Sequence, residues 1–179
     1  MNRWNVMKKL KKILFTFLTI GIVFLVFMLW YQQKYSMEPA EEYELNSHLE
    51  NSKLLIATQG SEFKNTITTA IVDYYRKEPL YIEVMDIGSL KHVNPSNYDA
   101  LLIVHTWEMW KPPSYIQSFM DRTVKDRAKM VVLTTSGEGT YKMDGIDAFT
   151  GESEMDESSL QVGRIIKRLN NLLGLNTIQ

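Results

Sequence analysis

Four groups of side chains in this chain of 179 residues have types and spacings that could do chemistry. Ser61, Lys64, Asn65 and Thr66 follow the apolar run 54–58 (LLIAT) and open a stretch with helical spacing. Hydroxyl and amide side chains at a helix start either cap its free N–H groups or, with those N–H groups and a lysine, hold an anion. His105, Thr106, Trp107 and Trp110 follow the run 100–104 (ALLIV), where the two indoles either cover the end of a sheet or wall a planar ligand. Thr135, Ser136 and Gly137 close a third apolar run, 130–133. Residues 147–153 (DAFTGES) end on Ser153, and their composition alone asks only for a surface loop. His48, His92 and His105 are too dispersed for a histidine-rich metal site, and the absence of cysteine excludes disulfides, thiolate catalysis and thiolate metal centres. No metal site and no catalytic side chain is expected.

The elements that must position these groups read as stacked strand–helix units. Strands are expected at 54–58, at 81–85 after the breaker Pro79, at 100–104 and at 130–133. The run ALLIV is the most continuous and belongs at the centre of a parallel sheet buried on both faces. Ile67, Ala70, Ile71 and Tyr74 give one helix its inward face. Pro112 and Pro113 start another, with Ser114 as a capping residue and Ile116, Phe119, Met120 and Val124 facing in. The polar stretch 88–97 holds at most a short helix. After a long polar loop, 136–157, a last helix carries Val162, Ile165, Ile166, Leu169 and Leu173 and stops at Gly174. A loop that long inside a compact domain is more often functional than idle.

With the motifs in place, residues 53–139 resemble the flavodoxin-like proteins. Residues 54–70 (LLIATQGSEFKNTITTA) look like that family's first strand and phosphate loop, S-x-T-G-N-T, with Ser61, Asn65 and Thr66 in matching places. Residues 97–110 (NYDALLIVHTWEMW) look like its third strand and aromatic loop, 115–122 (YIQSFMDR) like its third helix, and 131–137 (VVLTTSG) like its fourth strand and turn. The pattern departs from the family at Phe63 and Lys64, which replace a Thr and a Gly, and at Glu62, a negative charge beside the expected phosphate that Lys64 would offset.

The resemblance implies a three-layer, doubly wound α/β domain with parallel strands in the order 2-1-3-4, lacking the usual fifth strand, so that the fourth strand leads straight to the last helix. It further implies FMN, with phosphate near Ser61, Lys64, Asn65 and Thr66. The ring would lie beside Thr106, Trp107 and Trp110, with Thr135, Ser136 and Gly137 on its other flank. DAFTGES also resembles the D-x-x-[ST]-G-A-[ST] site at which exported bacterial proteins take FMN as a phosphoester. Ser153 is the matching acceptor, and Glu152 stands where that motif has Ala.

Ahead of this domain, residues 13–30 run eighteen positions without a charge and as a helix would extend about 27 Å, near the hydrocarbon thickness of a bilayer. Five bases precede the run and glutamates follow it, which puts the N-terminus in the cytoplasm and the domain outside. No A-x-A-like cleavage site follows, so the segment reads as an uncleaved signal-anchor and single-pass span. The expected organisation is a basic tail at 1–12, a transmembrane helix at 13–31, a polar stalk at 32–52 and the domain at 53–175. Beyond the span lie all 21 acids but only 15 of the 20 bases, leaving that part at −6, which excludes a general nucleic-acid binder. Two function classes follow. One is an extracytoplasmic flavoprotein, either an electron carrier or an FMN-dependent oxidoreductase, with a redox partner protein or small acceptor. The other is a cofactor-free flavodoxin-like binding or regulatory module at the membrane surface.

Overall fold

The computed structural model describes residues 3–35, 37–108 and 110–175 and divides the chain into two compact units, residues 1–37 and 38–179. The first is one helix, α1 (Arg3–Tyr35). Its segment Met7–Tyr31 is long and apolar enough to cross a membrane and contains the expected span 13–30. The hydroxyls of Thr16 and Thr19 donate to the carbonyls of Lys12 (3.0 Å) and Phe15 (2.9 Å), so neither presents an unpaired polar group to an apolar surrounding.

The second unit is a mixed sheet between two layers of helix. Its strands are β1 (Glu38–Pro39), β2 (Tyr43–Leu45), β3 (Ser52–Gly60), β4 (Leu80–Asp86), β5 (Ala100–Thr106), β6 (Met130–Thr135) and β7 (Ala148–Gly151). Along the sheet the order is β2-β4-β3-β5-β6-β7, and β1 pairs separately with β3. The steps from β4 to β7 are all parallel, with Ile56 opposite Leu102 and Ile103 opposite Val132. This is the flavodoxin-like winding, with its switch point between β3 and β5.

Two helices, α2 (Glu62–Tyr75) and α4 (Ser158–Leu173), cover one face. There Ile56, Leu102 and Leu133 pack on Ile67, Ile71, Ile165 and Leu169. The other face carries α3 (Ser114–Arg122) and two short 3-10 turns, with Leu55, Leu101 and Ile103 against Leu90, Ile116 and Phe119. Alternate residues of β3, β5 and β6 thus serve opposite cores. That explains apolar runs without polar interruption. Tyr75 closes the first core: its hydroxyl donates to Asn170 Oδ1 (2.7 Å), whose amide donates to the Tyr74 hydroxyl (3.1 Å).

Several expectations need correction. A fifth parallel strand exists: β7 pairs with β6 and is cut from DAFTGES itself, so the fourth strand does not lead straight to the last helix. The expected stalk 32–52 is largely structured. α1 runs to Tyr35, while β1 and β2 join the sheet antiparallel, Tyr43 and Leu45 packing on its first core, so the globular unit begins at Glu38 rather than residue 53. On α2 the buried tyrosine is Tyr75, not Tyr74, and Val124 lies beyond α3 and exposed. The last helix ends as expected, Gly174 capping it with φ 67°.

Candidate functional site

At the carboxyl ends of β3, β5 and β6 the alternation that built the two cores turns polar. Gln59 on β3 is buried and joins three segments: its amide donates to Glu108 Oε1 (3.0 Å) and to the Tyr115 hydroxyl (3.2 Å), and its carbonyl accepts from the Thr106 N–H (2.7 Å). On the opposite face Thr106 and Thr135 share a hydroxyl hydrogen bond of 2.7 Å, and the Ser153 hydroxyl donates to Thr135 Oγ1 at 3.0 Å. Three of the expected site residues therefore meet in one line. Ser136 and Gly137 begin the turn after β6, where the Ser136 N–H donates to the Gly151 carbonyl (3.2 Å).

Among the described residues, two buried polar atoms at the ends of β5 and β6 have no hydrogen-bond partner: Trp107 Nε1 and Ser136 Oγ. Orphans of this kind usually mark a place for a ligand or an ordered water. His105 Nε2 shares a hydrogen bond with Thr134 Oγ1 (3.0 Å), and burial lowers its pKa to about 4 against a backbone hydrogen bond at Thr106, with the nearby Lys64 charge acting in the same direction as burial. The imidazole is neutral at physiological pH. It is a hydrogen-bonded strand-end residue.

The indole of Trp107 stacks on the ring of Tyr141, centroids 5.2 Å apart and planes 17° from parallel. Tyr141 comes from the long loop and was not singled out by sequence. A hydrogen bond to Glu138 raises its phenol pKa. Trp110 stands apart. It is 79% exposed, has φ 61°, and sits at the tip of a small hairpin closed by the backbone bonds between Glu108 and Lys111.

The expected phosphate loop takes another form. β3 runs unbroken to Gly60 and α2 starts at Glu62, so a single residue, Ser61, lies between strand and helix. Ser61 is the N-cap: its hydroxyl accepts from the Lys64 N–H (3.3 Å), and the Lys64 ammonium lies 3.5 Å from the same oxygen. The Thr66 hydroxyl donates back to the Glu62 carbonyl (2.9 Å), and Asn65 is exposed. Against Gly60 lies β1, close enough that a Cβ there would stand 2.6 Å from the Glu38 carbonyl oxygen and 2.8 Å from that of Pro39. Carbonyl oxygens beside Gly60 repel a phosphate. Lys64 is fully buried, and desolvation lowers its pKa to about 8 while the Glu108 carboxylate opposes the shift. The phosphate half of an FMN site does not fit these residues.

The sequence signalled Thr106, Thr135, Ser153 and Trp107, which the fold brings to one edge of the sheet. It gave no warning of Gln59, Glu108, Tyr115 or Tyr141, although a glutamine inside an otherwise apolar strand end was a usable sign. Among the described residues no group of three or more His, Asp or Glu side chains could hold a metal ion.

The chain matches no protein-family model and no curated protein. Among solved structures it is similar to a flavodoxin from the domain Archaea, at 14% identity and a TM-score of 0.45, over 67% of this chain and 98% of that one. It is also similar to oxidised flavodoxin 2 from Bacillus cereus, at 17% identity and 0.33, over 72% and 80% of the two chains. A third similar structure is an NADPH-quinone reductase from P. pentosaceus, at 11% identity and 0.32, over 72% and 81%. From the strand order and the two helix layers of its own sheet, the globular unit has a flavodoxin-like fold.

Proposed function

We propose that this is a membrane-anchored flavodoxin-like protein whose carboxyl sheet edge takes the flat ring of a flavin, with the ring rather than the phosphate supplying the affinity. The observation that carries this reading is the Trp107–Tyr141 stack beside the orphaned Trp107 Nε1 and Ser136 Oγ. A planar ring would insert between Trp107 and Tyr141 in place of their mutual contact, and aromatic stacking is worth about 0.5–1.5 kcal/mol beyond area burial. When bound, a flavin supplies one- and two-electron transfer, so no nucleophile or metal is required of the chain. The protein's part is to flank the ring with Trp107 and Tyr141 and to offer Ser136 and Thr135 hydroxyls at its edge. We place the domain outside the cytoplasm because five bases precede α1's apolar segment and none of the acids does.

A second reading, a cofactor-free binding or regulatory module, is favoured by the strap of β1 across Gly60 and by Ser61 serving as a helix cap. Titration separates the two. Riboflavin and FMN added to residues 38–179 should both lose fluorescence with similar affinity, and Trp107→Ala should weaken each about tenfold, the equivalent of about 1.4 kcal/mol. FMN binding far tighter than riboflavin would show a working phosphate site and refute the ring-only account. No quenching by either at millimolar concentration would leave the binding module as the function.

A further inference from the structure

We infer that the gap between the amino ends of β6 and β7 is a binding site for a small carboxylate with an apolar body. The two strands pair only from Val132 and Ala148 onward, and ahead of that register the chain turns at Gly145 with φ 69°. The strands thereby part around a cavity of about 230 Å³. Its apolar wall is a piece of the second core, formed by the buried side chains of Met120, Met130, Val132 and Ile146. Its polar wall is two guanidiniums, Arg127 from the 3-10 turn Val124–Lys129 that precedes β6 and Arg168 from α4. Thr135 and the proposed ring site lie at the other end of β6, roughly 17 Å along the strand, so the inference does not depend on the flavin reading.

The protein itself matches neither guanidinium well. Arg127 gives one N–H to the Met120 carbonyl (3.0 Å), its Nε is buried without a hydrogen-bond partner, and among the described residues it forms no ion pair. Arg168 has the Asp147 carboxylate at 3.8 Å, but that side chain is 92% exposed, and so loose a pair contributes little. Arg164, one turn earlier on α4 and seated over the Phe149 ring at 4.8 Å, adds a third positive charge at the same edge of the sheet. A carboxylate answers the planar fork of a guanidinium with two parallel hydrogen bonds. The apolar wall decides the rest of the ligand. Against methionine, valine and isoleucine an inorganic phosphate loses water and gains nothing, whereas a hydrocarbon body is favoured there. The volume falls below the roughly 300 Å³ at which drug-sized pockets begin, which limits that body to one ring or a short chain. Asp147 stands at the rim as the competitor that the ligand displaces from Arg168.

The probe for the test is para-fluorobenzoate, followed by fluorine NMR with the full chain in lipid nanodiscs and empty nanodiscs as background. Its line should broaden saturably, and amide exchange should slow at 127–132 and 145–148 while Thr106 and Thr135 stay unchanged. Arg168→Gln, at a half-exposed position on α4, should weaken binding about tenfold or more. Arg127→Lys keeps the charge but loses the fork and should weaken it several-fold. Asp147→Asn removes the competing carboxylate and should tighten it several-fold. No broadening at millimolar probe overturns the proposal, as does binding that all three variants leave unchanged, which is partition into lipid. Equal binding of para-fluorobenzyl alcohol would reveal an apolar hole that ignores charge, and equally strong competition by inorganic phosphate an anion site that ignores the body. Either result overturns the proposal as well.

Discussion

Replacing Lys64 by methionine should stabilise the globular unit, and the gain should disappear as the pH rises. The ammonium is fully buried on the first turn of α2, where the helix dipole also disfavours a cation. Burial lowers its pKa from 10.5 to about 8, and at about 1.4 kcal/mol for each tenfold the charged form costs the folded state ~3 kcal/mol at neutral pH. The sign is that of a depressed base. Between pH 8 and 10.5 the unfolded chain holds the proton that the folded chain has lost, so stability rises with pH through that window and the cost is fully present below it. From pH 7 to pH 9 the wild type should regain about 1.4 kcal/mol that the Lys64→Met variant, already relieved, does not. The variant itself should be about 2–3 kcal/mol more stable at pH 7, since exchanging a buried ion for an apolar side chain of similar volume often stabilises. Urea denaturation of residues 38–179 at the two pH values, followed by circular dichroism, measures both. Wild type and variant gaining equally between pH 7 and 9 would refute the reasoning. A less stable variant would mean that Lys64 is held by interactions stronger than its desolvation.

Two further outcomes follow from close contacts. Gly60→Ala places a methyl 2.6 and 2.8 Å from two backbone oxygens of β1, so β1 should detach at a cost of about 1–2 kcal/mol. Amide exchange at 38–39 and 59–60 should accelerate while β5 and β6 stay protected, and unchanged exchange would refute the contact. Acid should destabilise through His105, whose folded pKa lies near 4 against 6.5 unfolded. Stability present above pH 6.5 is lost as the pH falls to 4, by up to ~3 kcal/mol, and His105→Gln should flatten that part of the denaturation profile.

What was legible in the sequence was what burial dictates on both sides of a strand. The runs in β3, β5 and β6 contain no solvent-facing position, so they announced themselves, and the 3.6-residue stripe of α4 did the same. β1, β2 and β7 stayed hidden for the opposite reason. Two to four residues at a sheet edge, reading EP, YEL and AFTG, have too few inward side chains to show a period. The site divided likewise. Thr106, Thr135 and Ser153 follow strand ends and were found by position. Whether Ser61 cradles an anion or caps a helix depends on one or two residues of loop length, which β3 consumed by continuing through Gln59 and Gly60. Tyr141 reaches Trp107 across a loop without periodicity, and no local pattern encodes that.

The clasp of Tyr75, Asn170 and Tyr74 bears on how the chain avoids wrong forms of itself. Helices α2 and α4 present broad aliphatic faces that would slide over one another at little cost, since leucine and isoleucine are nearly interchangeable as contacts. Moving α4 by one turn would strand the Tyr75 hydroxyl and the Asn170 amide in the core, each unpaired group costing about 1–3 kcal/mol. The two polar side chains thus act as a register pin, adding little net cohesion but making the neighbouring alignments expensive. Helix α4 consequently has one place to dock, and the sheet face it covers stays open until that register is found.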